Sequence, residues 1–166
     1  MSTASFPAAS VSMNASFAVL TMDGMNLLFM QSDIRALESA SALDSKAPKQ
    51  DSVGWISYMR QRWPVYCLSD QLDLLSNVPP ARHTCALLAI GTEFFGLLCD
   101  DAAIVTADAR QRHEVPVAMK NANSPILELL PSGDRLLCMS SPSRLAAYIE
   151  LMVHRQSLPL ELPCLA

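Results

Sequence analysis

The chain has 166 residues, 51% of them hydrophobic and 17% charged, with a formal net charge of −4. That is enough for one domain, or two small subdomains sharing a core, with ample apolar material to bury. An acidic chain with no clustered Lys/Arg run is not a nucleic-acid binder, whose affinity rests on phosphate neutralisation. No segment approaches the roughly 20 apolar residues of a membrane-spanning helix, so no membrane insertion is expected.

Residues 1–15 are rich in Ser and Ala and lack the basic stretch and apolar stretch of a secretory signal. They are expected to be loosely ordered, in a cytoplasmic protein. Ser16-Phe17-Ala18-Val19-Leu20-Thr21 reads as a strand, Asp23-Gly24 as a tight turn, and Asn26-Leu27-Leu28-Phe29-Met30 as the returning strand. Residues 34–42 stay open between a short helix, by their Ala, Leu and Glu content, and an irregular strand. Residues 44–52, with Pro48, read as an exposed loop. An apolar run from Val53 then turns over Arg60-Gln61-Arg62 and restarts at Trp63-Pro64-Val65. Residues 69–76 follow as a short helix, and residues 77–82, with Pro79, Pro80 and Arg82, as a loop.

A second hairpin comes next, in which Ala86-Leu87-Leu88-Ala89-Ile90 and Phe94-Phe95-Gly96-Leu97-Leu98-Cys99 flank Gly91-Thr92-Glu93 before the acidic pair Asp100-Asp101. Residues 102–107 continue as a strand, and residues 108–124 as a long polar surface connection. Residues 126–130 and 136–139 flank Pro131-Ser132-Gly133-Asp134, a third hairpin signal. The last element is a helix: Ser141 or Ser143 caps it, Pro142 suits its first turn, and Leu145, Tyr148, Ile149 and Met152 share one face. Residues 156–166, with Pro159 and Pro163, read as a tail. Short strands punctuated by Gly, Pro and Asp turns indicate small barrels rather than a parallel sheet.

The candidate chemistry is sparse. His83, His113 and His154 are far apart and show no metal-ligand spacing with one another or with cysteine. Cys67, Cys85, Cys99, Cys138 and Cys164 are odd in number, without a C-x-x-C pair, and read as reduced thiols acting as small hydrophobes. Asp100 and Asp101 are adjacent on an extended backbone, so their side chains point to opposite faces and do not converge on one substrate atom. Nucleophile-elbow, phosphate-loop and dinucleotide motifs are absent from the sequence. The expectation is a chain that is not an enzyme and that carries no cofactor and no metal.

The run Arg60-Gln61-Arg62-Trp63-Pro64-Val65-Tyr66-Cys67-Leu68-Ser69 and the later Gly96-Leu97-Leu98-Cys99-Asp100-Asp101 resemble, in order and spacing, the signature of the CheW-like family, adaptors of bacterial chemosensory signalling. Members of that family show Arg-Gly, an apolar residue, Pro-Val and Asp-Leu-Arg, then Gly, two apolar residues, Val and Asp. The likeness extends over residues 15–150. It departs where Gln61 stands for the family glycine, where Cys67-Leu68-Ser69 stands for Asp-Leu-Arg, and where the last strand lacks its aspartate. A glycine after the arginine serves a turn needing positive φ, so Gln61 implies a different turn or a strained one.

The resemblance implies a mainly β fold of two five-stranded SH3-like barrels sharing a core, with a C-terminal helix, over residues 16–155. It implies an adaptor that couples the cytoplasmic tip of a chemoreceptor to the regulatory domain of a CheA-type histidine kinase, recruited to receptor arrays. Arg60 matches the family arginine at the receptor groove, and Gln61, Arg62, Asp100 and Asp101 complete the expected partner-binding set. The structural alternative is an exposed Arg60 that caps a strand end or pairs with Asp100 or Asp101. The alternative function is a divergent interaction module that has lost receptor or kinase binding and serves a pilus-linked system or self-association.

Overall fold

The computed structural model describes residues 14–157, and everything below concerns those residues. Its elements in order are β1 (Asn14–Met22), β2 (Met25–Met30), β3 (Ile34–Ser39), β4 (Gly54–Tyr58), β5 (Gln61–Cys67), β6 (Thr84–Ile90), β7 (Glu93–Cys99), β8 (Asp101–Asp108), β9 (His113–Glu114), β10 (Glu128–Ser132), β11 (Arg135–Met139) and α1 (Pro142–Ser157). The strands form two SH3-like sheets. One runs β8-β1-β2-β11-β10-β9 and the other β3-β6-β7-β5-β4. The sixth strand of the first sheet is the two-residue β9, which pairs only with Glu128 and Leu129 of β10. Thus β3 to β7 form one sheet from a continuous stretch of chain, inserted into a second sheet whose first two strands must find partners beyond it.

The local signals account for most of these elements. Asp23 and Gly24 both have positive φ (50° and 87°), as a two-residue turn of the type favoured in hairpins requires. Residues 34–42 resolve as strand, followed by a single 3-10 turn at Ala40–Ala42, and the pairing of β3 with β6 shifts register between Ile34 and Ala36. Ser141 caps α1, its Oγ accepting the Arg144 N–H at 3.3 Å, and Pro142 occupies the first turn. Leu145 and Ile149 are buried on the inner face of that helix.

Four expectations need correction. Residues 69–76 are a loop, because Ser69 Oγ accepts the backbone N–H groups of Gln71 (3.2 Å) and Asp73 (3.1 Å) and so competes with a helix too short to nucleate alone. Leu68 bridges to Leu74, and Leu72 takes φ 66°. The turn placed at Arg60-Gln61-Arg62 is made by Met59 and Arg60, leaving Gln61 and Arg62 in β5. Pro131 and Ser132 belong to β10, so Gly133-Asp134 alone makes the third turn. At the termini, β1 begins at Asn14 and α1 runs to Ser157; residues 1–13 and 158–166, Cys164 among them, lie outside the described residues.

The period-two alternation of the strands creates three cores. Leu20 and Met22 of β1, Leu27 and Phe29 of β2, Tyr66, Leu68, Ala86, Leu88, Phe95, Leu97 and the α1 residues Leu145 and Ile149 meet in one central cluster between the sheets. The alternate residues of β5, β6 and β7, including Trp63, Val65, Cys67, Cys85, Leu87 and Leu98, fill the five-stranded sheet's own interior. Phe17, Val19, Leu28, Leu130, Leu137 and Met139 do the same for the other sheet. Strands buried on both faces need apolar side chains at consecutive positions, which is why these segments read as unbroken hydrophobic runs.

Gly96 sits in β7 between β5 and β6, where an added Cβ would lie 2.7 Å from Cys85 Sγ and 3.1 Å from Val65 Cγ2. The glycine of the central motif is therefore a packing requirement. Gly96→Ala is expected to destabilise the fold by about 1–3 kcal/mol through overpacking, and Cys85→Ala in the same chain to recover part of that loss. Chemical denaturation of the two single variants and the double variant measures the coupling, which must be absent if the clash is elsewhere.

Candidate functional site

The five residues expected to bind a partner separate into two groups at opposite ends of the five-stranded sheet. β5 and β7 are parallel, with Val65 beside Gly96 and Cys67 beside Leu98. Arg62 is thus level with Glu93, while Asp100 lies seven residues further along, roughly 23 Å at the rise of a strand. Arg60, Gln61 and Arg62 cannot act on the same group as Asp100 and Asp101.

The Asp100 end is structural. The guanidinium of Arg82, a residue 3% exposed, donates through Nη1 to Asp23 Oδ1 (3.1 Å) and through Nη2 to Asp23 Oδ2 (2.9 Å). Nη1 also reaches Asp100, and Nη2 the Leu68 carbonyl at 2.8 Å. Asp100 in turn accepts the Asp23 backbone N–H at 2.8 Å. Arg82 Nε is buried without a partner. The alternative in which Arg60 pairs with Asp100 is therefore replaced by Arg82, which the sequence placed only in a loop. Asp101 is an exposed residue opening β8, opposite Thr21.

The other end is an exposed tip beside a groove. Met59 (φ 50°) and Arg60 (φ 62°) are both left-handed although neither is glycine, a conformation costing roughly 1–2 kcal/mol per residue. The strain expected at Gln61 therefore sits one and two positions earlier. Met59 is 77% exposed, and Arg60 and Gln61 beside it are exposed too. Arg62 points back along the sheet, its guanidinium carbon 4.6 Å from the centre of the Trp55 ring, a cation–π contact. Trp55 is itself anchored by its indole N–H on the Ala47 carbonyl at 2.8 Å. Trp63 faces the opposite side of the sheet, buried against Tyr58 and Phe94.

Arg62, Pro64 and Tyr66 share one face of β5 by the strand period, and with Trp55 and Phe95 they form one wall of a groove of about 540 Å³. The other wall is α1, through Ala146, Ile149 and Glu150. Lys49 and Arg62 bring positive charge to it, Glu93 and Glu150 negative. Burial, and then Glu150, push the Tyr66 phenol up. Arg62 lines this groove and Arg60 stands outside it. A groove assembled from a loop, a sheet face and a terminal helix has no local sequence signal, apart from the aromatic residues spaced along β4, β5 and β7.

No other chemistry gathers here. His83, His113 and His154 are exposed and apart. Cys67, Cys85 and Cys99 are buried free thiols and Cys138 is half-buried; burial pushes the Cys99 thiol up to about 12. Among the described residues no three His, Cys, Asp or Glu side chains cluster as a metal site would need, and no helix is long and apolar enough to cross a membrane.

No family model and no curated protein sequence matches the chain. Among solved structures, it is similar to the scaffolding protein TtCheW from Thermoanaerobacter tengcongensis, with a TM-score of 0.65, 11% identity, and coverage of 78% of this chain and 90% of that one. The fold implied by the central motif is the fold the chain adopts.

Arg82→Met leaves two carboxylates facing each other at the sheet junction and is expected to cost about 3 kcal/mol, the lower end for breaking a buried pair. The Arg82 hydrogen bond holds the Asp23 carboxyl below its ordinary value of 3.8. A depressed folded pKa stabilises above the unfolded value and loses that contribution as pH falls through it. Melting temperature in the wild type should therefore drop steeply below about pH 4, and less steeply in Asp23→Asn. Secondly, Met59→Asn with Arg60→Gly, residues suited to a left-handed pair, should raise stability by about 1 kcal/mol in denaturant titrations.

Proposed function

We propose that the chain is a non-enzymatic adaptor of the CheW type, coupling chemoreceptors to a CheA-type histidine kinase in bacterial chemosensory signalling. The observation that carries this reading is the superposition on a scaffolding protein over most of both chains; Arg60, exposed at the turn between β4 and β5, supports it as the residue that matches the family arginine in the motif. The mechanism is bridging, with no bond made or broken. The tip and groove offer two guanidinium groups and an aromatic wall within one small area. That combination suits a helical receptor hairpin presenting carboxylates beside apolar residues. A barrel face pairs with the kinase regulatory domain, and the protein works in the cytoplasm at receptor arrays.

A second reading is a module that has lost one of these partners and serves a pilus-linked system or self-association. The tip favours it: Gln61 has moved out of the turn into β5, so the turn carries the bulky, exposed Met59 and Arg60.

Calorimetric titration of the purified protein with a receptor cytoplasmic fragment, and separately with a CheA regulatory domain, decides between them. The adaptor should bind both, and Arg60→Ala and Arg62→Ala should each weaken the receptor interaction by about tenfold or more while leaving the kinase interaction intact. A folded protein that binds only one of the two partners, or neither, is the repurposed module.

A further inference from the structure

The groove between the five-stranded sheet and α1 combines two kinds of lining. Pro64, Tyr66, Phe95 and Ile149 are buried, whereas Lys49, Arg62, Glu93 and Glu150 are exposed. A concave site with an apolar floor and a few charged groups at its rim suits a small ligand that has an apolar body and a charged head.

The rim specifies that head. Two cations and two carboxylates line one groove, yet among the described residues none of these four charged groups is in an ion pair or a hydrogen bond. Arg62 and Glu93 are level on β5 and β7, parallel strands about 4.8 Å apart, and the strand period puts them on the face of Pro64 and Phe95. Arg62 nevertheless lies on the Trp55 ring and leaves Glu93 unpaired. An anionic ligand would bring its charge against Glu93 and Glu150, and a cationic one against Lys49 and Arg62. An uncharged ligand would desolvate the rim without compensation. A head that carries a carboxylate and an ammonium on one carbon answers both signs across two neighbouring strands.

We propose that this groove binds a free α-amino acid with a large apolar side chain, its carboxylate on Arg62, its ammonium on Glu93 and its side chain over Tyr66, Phe95 and Ile149. The guanidinium takes the carboxylate as a fork, and Trp55 holds it in place through its ring face. For so small a ligand in an open groove the dissociation constant is about millimolar. Arg62 also belongs to the surface offered to the receptor, so the bound amino acid and the receptor exclude one another. That regulatory consequence rests on the adaptor reading; the binding does not.

The test is an NMR titration of the full chain with L-phenylalanine and, in parallel, with phenethylamine and 3-phenylpropionate, which keep the ring and one charge each. L-Phenylalanine should shift the Trp55 indole N–H and the Ile149 methyl resonances saturably and leave the Ile104 methyl, on β8 of the other sheet, in place. Both analogues should bind about tenfold more weakly. Arg62→Gln should bring L-phenylalanine down to the level of phenethylamine, and Glu93→Gln to the level of 3-phenylpropionate. The absence of a saturable shift at Trp55 and Ile149 below about 10 mM overturns the proposal. So do equal affinities for the three ligands, a test that needs no variant, and an L-phenylalanine titration unchanged by either substitution. If the adaptor reading also holds, saturating L-phenylalanine weakens binding of the receptor fragment to the unmodified chain. A chain that binds L-phenylalanine in the groove and no receptor fragment keeps this site and removes the adaptor.

Discussion

One guanidinium holds the two sheets in their relation. Arg82 contacts the turn between β1 and β2 through Asp23, the end of β5 through the Leu68 carbonyl, and the crossing from β7 to β8 through Asp100. Asp100 sits where the chain leaves one sheet for the other, with its own N–H on the Thr21 carbonyl at 2.8 Å. A buried ion pair adds little net free energy compared with a well-packed apolar replacement, yet losing one partner is costly. The network therefore acts less as a source of stability than as a constraint. The hairpin, the strand end and the crossover can meet in only the arrangement that satisfies both carboxylates.

That junction and the central core act together. The core residues between the sheets come from both of them and from α1, so neither sheet can open without exposing side chains the other needs. With one end of the five-stranded sheet committed to Arg82, its free chemistry lies at the other end, at the β4–β5 tip and the groove beside it. The exposed left-handed pair at Met59 and Arg60 shows the same division, since unfavourable backbone is tolerated where rigid strands on both sides enforce it.

What could be read from the residues alone was whatever is local. The Asp23-Gly24 turn, the apolar runs around Leu87 and Leu97, and the Ser141-Pro142 helix start each state their structure within a few positions. The Met59-Arg60 turn contains no glycine or asparagine, so nothing local marks it and Arg-Gln-Arg reads as the better break. The leucines of 69–76 suggested a helix, whereas Leu72 and Leu74 pack onto the central core from a loop. Nothing near Arg82 marks a buried arginine in the sequence; its partners lie 59 and 18 residues away in the chain. Arg62 reads as a site residue only by its place beside Arg60, and its contact with Trp55 depends on the register of β4 on β5.

The order of the strands also governs how the protein can be made. β3 to β7 are contiguous, so their sheet can close as soon as residue 99 has emerged. β2, however, pairs with β11 through Leu27 beside Cys138 and Leu28 beside Met139, partners 111 residues apart. At a synthesis rate of about 5–20 residues per second, the β1–β2 hairpin waits roughly 6–22 seconds for its last neighbour. Until the five-stranded sheet closes beneath them and β8 joins β1, Leu20, Met22, Leu27 and Phe29, all fully covered in the finished fold, have only the partial shelter of an isolated hairpin, which is marginally stable at best. The nascent chain is thus most exposed to misassociation at its β1–β2 hairpin, whose sheet is not completed until β11 exists.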